Sequence, residues 1–209
     1  MSESAQNEKR RFFLISPANI AGIRGRRLIA ENANSELAKR LRAGGVPLGE
    51  LYSFISSLYF RGKLAYASAF GNVDASFVIT GCGGLVPPST NVSLPELQKL
   101  TAVDFDPTDS RYRGPLDRDL RGLLEMAPDC EVVLLGSIAT PKYVDPVLEI
   151  FGERLLFPEE FIGRGDMSRG GLMLRSIESG VELAYVALCK ANRHGRKPPK
   201  LAPIPRNKI

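Results

Sequence analysis

The sequence predicts an α/β fold, a single-domain and mostly parallel sheet flanked by helices. Three observations lead there. Short apolar runs bounded by turn residues recur along the chain, as buried strands do, and stretches with helix-compatible apolar spacing separate them. The 209 residues, 44% hydrophobic and 24% charged, are also enough to bury one core without metal or disulfide staples. Buried strands alternating with amphipathic helices require a sheet covered on both faces.

The elements follow in order. FFLIS at 12–16, closed by Pro17, reads as the first strand. Residues 25–43 place Leu28, Leu37 and Leu41 at helical spacing and stop at Gly44-Gly45, which predicts a helix. A second helix is predicted over 48–70, between Pro47 and Gly71, with Leu51, Phe54, Ile55, Leu58 and Leu64 recurring on one side. SFVIT at 76–80 reads as the next strand, broken by GCGG and Pro87-Pro88. Residues 104–115 read as a polar loop and 116–127 as a helix. EVVLLGS at 131–137 is the clearest strand, with a helix over 142–151 after it. RLLFP at 154–158 is another short strand, followed by a glycine-rich loop at 163–171. LMLRSIESGVELAYVAL then fits either a strand pair or a helix pair around Ser179-Gly180. The organisation is a polar basic segment at 1–11, an α/β domain at 12–189 and a basic, proline-rich arm at 190–209.

Charge is unevenly placed. The net value is only +5, yet residues 9–27 hold Lys9, Arg10, Arg11, Arg24, Arg26 and Arg27 with no acid. Residues 190–209 hold Lys190, Arg193, Arg196, Lys197, Lys200, Arg206 and Lys208, again with no acid, so the intervening body is net acidic. Two cationic segments suit a polyanion surface if they converge, and the expectation is that both lie on one face beside the ligand pocket.

Several function classes are excluded. The three cysteines, Cys82, Cys130 and Cys189, lie far apart and no apolar signal precedes them, which predicts a reduced, cytoplasmic protein. No window resembles a spanning helix, so no membrane partner is expected. With His194 the single histidine, neither a paired-histidine metal site nor a Ser-His-Asp triad is expected. GxxxxGK[ST] is absent and GCGG at 81–84 is not a dinucleotide fingerprint. No metal or organic cofactor is called for.

In open α/β sheets, ligands bind beyond the carboxyl ends of the strands, so the loops following each predicted strand carry the candidate chemistry. After the first come Ser16 and Asn19, whose amide both donates and accepts and suits a base edge. Arg24, Arg26 and Arg27 follow as phosphate contacts. After the second comes Gly83, whose amide can face an anion, and after the third come Ser137, Lys142 and Tyr143. GRGDMSRGG at 163–171 is the most concentrated candidate, with the Asp166 carboxylate as base or cation stabiliser, Ser168 beside it, and Arg164 and Arg169 as phosphate contacts. In 51–70 aromatic rings alternate with cations; most read as core, and Tyr59 and Arg61 are kept for stacking and backbone tracking. Arg111, Tyr112 and Arg113 form a similar cluster, and Asp104, Asp106 and Asp109 before it read as a capped, solvated loop sooner than as a metal group. Arg193, Arg196 and Lys197 complete the cationic set in the arm.

LISPANIAG, the helix LYSFISSLYFRGKLAYASAF, FVITGCGGLVPP, and VVLLGS with the later GRGDMSRGG occur in an order that resembles the YaaA-like group of bacterial α/β proteins, over most of residues 12–175. That group includes peroxide-stress DNA-binding proteins and is similar in fold to uracil-DNA glycosylases. The resemblance implies a nucleic-acid-facing domain, and small DNA glycosylases acting on modified phage bases belong to the same broad class. The GQDPYH-type segment and the HPSP-type histidine loop of uracil-DNA glycosylases are absent here, so no catalytic residue transfers from them.

The expectation is a monofunctional DNA base glycosylase whose partner is DNA. Cations bind the backbone, the target base is flipped into the strand-end pocket, Asp166 stabilises the sugar cation or orients water, and Asn19, Gly83, Ser137 or Ser168 stabilise the departing base. Tyr59 or Tyr112 stacks on the base. The rivals are a non-catalytic DNA-binding stress protein and an enzyme acting on free nucleosides or nucleotides.

Overall fold

The computed structural model describes residues 10–71, 74–192 and 195–201. Along the chain come β1 (Arg11–Ile15), α1 (Ile23–Ile29), α2 (Glu36–Ala43), β2 (Val46–Pro47), α3 (Leu48–Ser56) and α4 (Leu58–Phe70). Next are β3 (Ser76–Ile79), β4 (Leu85–Val86), β5 (Asn91–Val92), α5 (Leu94–Leu100) and α6 (Ser110–Met126). Then follow β6 (Glu131–Leu135), α7 (Pro141–Phe151), β7 (Leu155–Pro158), α8 (Asp166–Ser179) and β8 (Tyr185–Ala187), with 3-10 turns at Gly152–Arg154 and Glu159–Phe161.

The main sheet has six strands in the order β4-β3-β1-β6-β7-β8. The inner four are parallel, and β4 and β8 pair antiparallel at the two edges. A mixed α/β fold with a mostly parallel sheet is therefore what the chain forms. The apolar runs explain it: Phe12, Phe13, Leu14 and Ile15 of β1, and Val132 to Leu135 of β6, are wholly buried on both faces, the condition of a parallel sheet covered by helices. The two short strands β2 and β5 pair separately. Among the described residues no helix is long and apolar enough to cross a membrane.

Local chemistry divides two helices that apolar spacing alone runs together. The stretch 25–43 is broken after Ile29, and α2 restarts where the Ser35 hydroxyl accepts the Ala38 amide at 3.3 Å. The stretch 48–70 is broken at Ser57, whose φ of 54° turns the chain between α3 and α4. The predicted loop at 104–115 ends early, because the Asp109 carboxylate accepts the Arg111 amide and caps α6. Arg111, Tyr112 and Arg113 are thus helical, and Tyr112 is buried in the core with its hydroxyl donating to the Lys142 carbonyl at 2.7 Å. It is no platform for a base.

The glycine-rich segment 163–171 is likewise not one loop. It enters α8 at Asp166, and Gly170 within it serves packing: a Cβ on Gly170 would meet the Leu58 carbonyl oxygen at 2.9 Å, and one on Gly62 the Gly170 carbonyl oxygen at 3.0 Å. α4 and α8 consequently lie backbone against backbone. The ambiguous stretch after it resolves as the rest of α8, a left-handed Gly180 cap and then the edge strand β8.

Candidate functional site

The chain leaves β1 toward β3 on one side and β6 toward β7 on the other, so the carboxyl ends of β1 and β6 flank the point where the winding reverses. Ligand crevices form at such points. A cavity of about 500 Å³ opens there, between the loop after β1, the loop after β6, the first turn of α8, and α3, α4 and the segment around 101–105. Its volume falls within the range of small-molecule sites.

Ser16, Asn19, Tyr59, Ser137, Lys142, Tyr143 and Asp166 all line it, residues far apart in sequence brought to one place by the parallel strands. Asp166 is exposed at the rim, in the first turn of α8, where the helix dipole favours a negative charge. Asn19 is also exposed at the mouth; its Oδ1 accepts the Ala21 amide at 3.1 Å, an Asx turn that leaves the Nδ2 donors for a ligand. Ser137 Oγ accepts the Ala139 amide at 3.3 Å. Lys142 reaches over the rings of Tyr143 and Phe105, with Nζ 4.9 and 5.8 Å from their centroids.

The walls are aromatic. Tyr52, Tyr59, Phe105 and Tyr143 line the cavity, and Phe105 meets Tyr143 nearly edge-on at 5.2 Å. Burial pushes the phenol of Tyr143 well above its ordinary value and that of Tyr59 up to about 12, so both stay neutral donors at neutral pH. Among the described residues the buried Tyr59 hydroxyl has no hydrogen-bond partner; Arg169 lies close enough to oppose the shift but makes no hydrogen bond of good geometry to it.

Other expected site residues lie elsewhere. The Gly83 amide donates to the Thr80 hydroxyl at 3.0 Å, away from the cavity, and is thereby occupied. Ser168 does not line the cavity; its hydroxyl accepts from Arg164, which also donates to the Glu160 and Pro199 carbonyls. Arg169 is 9% exposed and points inward, donating to the Phe161 and Gly136 carbonyls. A guanidinium so placed sets the field behind the cavity and does not meet a phosphate at the surface. Arg111 is paired with Asp109, and Arg113 with Asp117 and Glu149, which neutralises both. Asp106 caps Thr108, and among the described residues no group of three potential ligands stands where it could hold a metal ion.

Arg24, Arg26 and Arg27 are exposed on α1, and Arg24 and Arg27 line a second, open groove of about 600 Å³ together with the half-exposed ring of Phe54. Helix α3 divides this groove from the cavity: Tyr52 and Ser56 face the cavity, while Ser53 and Phe54 face the groove. Arg61 is exposed on α4 and lines neither.

The first cationic segment is divided: Arg24 and Arg27 stand one helix from the cavity, while its earlier members do not. Arg10 and Arg11 lie at the amino end of β1, across the sheet from the cavity, and Arg11 is paired with Glu131 and Glu182. Arg196 and Lys197 are exposed, and the backbone of the arm at 195–199 runs against Ile162, Gly163 and Arg164, just before α8. Arg193 lies outside the described residues.

One site residue is missed by the sequence patterns. Lys63 is 1% exposed, and its Nζ donates to the Ser16 carbonyl at 2.5 Å and lies 2.9 Å from Ser16 Oγ, directly behind the cavity floor. Its signal is its position, four residues after Tyr59 and three before Tyr66, on the apolar side of the helix where a lysine has no solvent. In comparisons with protein-family models, curated proteins and solved structures, nothing matches this chain.

Proposed function

We propose that the protein is a DNA base glycosylase that hydrolyses the N-glycosidic bond of a flipped nucleotide. The observation carrying this reading is the composition of the cavity at the strand ends: a carboxylate at the rim, amide and hydroxyl donors, and aromatic walls, with a cationic groove one helix away. Flat apolar walls with a few polar groups suit a nucleobase. Cleavage develops positive charge on the sugar and negative charge on the base. Asp166 at the mouth, nearer solvent and the strand, stabilises the sugar cation or orients the attacking water. Asn19 Nδ2 at the mouth, and the Ser137 and Ser16 hydroxyls and Lys142 further in, meet the base, where donors favour its departure. The groove with Arg24, Arg27 and Phe54 takes the flanking backbone, cations on phosphates and the ring against a base or sugar. A role in phage defence rests on the resemblance to modified-base glycosylases.

The test is incubation with duplexes carrying normal and modified bases, followed by alkaline cleavage at abasic sites. Strand breaks at one class of modified base are expected. Salt-dependent binding without base release from any duplex sinks the enzyme and leaves a DNA-binding protein; turnover of free nucleosides without need of a strand places the substrate among monomers.

A further inference from the structure

The proposed excision chemistry does not use Lys63, although it is among the most deeply buried of the described side chains. Among the described residues its ammonium has two oxygen partners, both on Ser16, and it stands over the rings of Tyr59 at 4.4 Å and Phe60 at 5.1 Å. No carboxylate among the described residues bonds it. Burying a charge with so little compensation is costly, which argues for a use.

Proton counting on this pair has two solutions that leave neither the buried Ser16 O–H nor a buried nitrogen lone pair idle. When Lys63 is charged, Nζ donates to both the carbonyl and Oγ of Ser16, so the Ser16 O–H must turn elsewhere, and the cavity that Ser16 lines is the open direction. When Lys63 is neutral, one N–H stays on the carbonyl and the nitrogen lone pair accepts the Ser16 O–H. Oγ then presents lone pairs to the cavity.

We propose that Lys63 is a positioning residue that sets the polarity of the Ser16 hydroxyl, making the cavity floor a hydrogen-bond donor for an electronegative oxygen or ring nitrogen of the base when Lys63 is protonated, and an acceptor when it is not. The assignment of a base as the ligand rests on the function proposed above; the coupling between the two side chains does not.

The groups facing Lys63 make the switch fall at neutral pH. Burial lowers the ammonium to about 7; Asp166 of α8 works against that shift and Arg169 of α8 adds to it. The ionisable side chains of the other neighbours are engaged or neutral: Glu50 of α3 pairs with Arg40, Tyr52 of α3 and Tyr59 of α4 are neutral phenols, and Arg11 of β1 pairs with glutamates. Excision should accordingly be fastest on the acid side, where Ser16 donates to the departing base, and fall about tenfold per pH unit above the midpoint.

The test follows lysine Cε resonances of the full chain, labelled at that carbon, from pH 5.5 to 9.5. One lysine is expected to titrate near neutrality, to vanish in Lys63→Met, and to move its midpoint in Ser16→Ala, which leaves the lysine in place. Absence of a lysine titrating between about 6 and 8, or an unchanged midpoint in Ser16→Ala, overturns the coupling whether or not any base is excised. On a duplex that is cleaved, the pH dependence of single-turnover excision should flatten in Lys63→Met; a wild-type profile in that variant overturns the donor role and leaves the glycosylase reading standing.

Discussion

Gly62 of α4 and Gly170 of α8 meet backbone to backbone, with little room for a side chain on either: a Cβ on each would stand about 3 Å from the carbonyl oxygen of the opposite helix. This contact brings Tyr59 and Lys63, on α4, up to Asp166 and Arg169, on α8. The candidate site therefore depends on two residues that have no chemistry of their own.

Gly170→Ala is expected to lower stability by about 1–3 kcal/mol, since the added methyl forces the helices apart against a packed core. Chemical denaturation measures it. A variant as stable as the parent would mean that the helices separate freely, and the coupling of α4 to α8 would have to be abandoned.

Asp166→Asn keeps the shape of the rim and removes its charge. Single-turnover excision should drop by about 10²-fold or more, while duplex affinity changes little. An excision rate within a few-fold of the parent removes Asp166 from the chemistry.

Tyr59→Phe should separate stability from function. The buried hydroxyl has no partner among the described residues, so its removal should leave stability unchanged or raise it by about 1 kcal/mol. If that hydroxyl is held for a ligand, excision falls in the same variant. A destabilised variant would show that the hydroxyl is satisfied in the free protein.

Stability should also carry the signature of Lys63. Burial lowers its ammonium from the ordinary 10.5 to about 7, so between those limits the unfolded chain holds a proton that the folded chain has lost. Stability then rises with pH, by about 1.4 kcal/mol per unit across that window, and is insensitive to this group below it. Urea denaturation of the wild type against Lys63→Met isolates the effect; parallel curves from pH 7 to 10 would refute it.

Arg24 and Arg27 together predict a salt dependence. Replacing both by Ala should weaken binding to duplexes of any sequence and reduce the slope of log K against log salt by about 0.9 for each phosphate that is no longer neutralised. An unchanged slope would remove the groove from the backbone path.

The sheet and its helices were legible because periodicity is a local property. Phe12 to Ile15 and Val132 to Leu135 read as buried parallel strands and are such strands, and the residues that follow them do line the cavity, with Ser16, Asn19 and Ser137 in the loops and Lys142 and Tyr143 in the first turn of α7. What misled was local as well. The charged and polar residues around 104–113 look like a loop until the Asp109 cap is seen to start a helix there, and GRGDMSRGG reads as one loop until α8 is seen to begin at Asp166, with Gly170 against Leu58.

Residue identity thus determined by itself the fold class, the strand ends and most of the candidate donors. Only the tertiary structure decided which cations face solvent and which are already paired or buried. Charge in a sequence has no direction: Arg24 and Arg169 are the same residue type, yet one lines an open groove from α1 and the other is held inside by two carbonyls. Lys63 belongs to the same lesson, because the burial that moves its proton affinity and the Ser16 oxygens that share its protons come from contacts 47 residues apart in the chain.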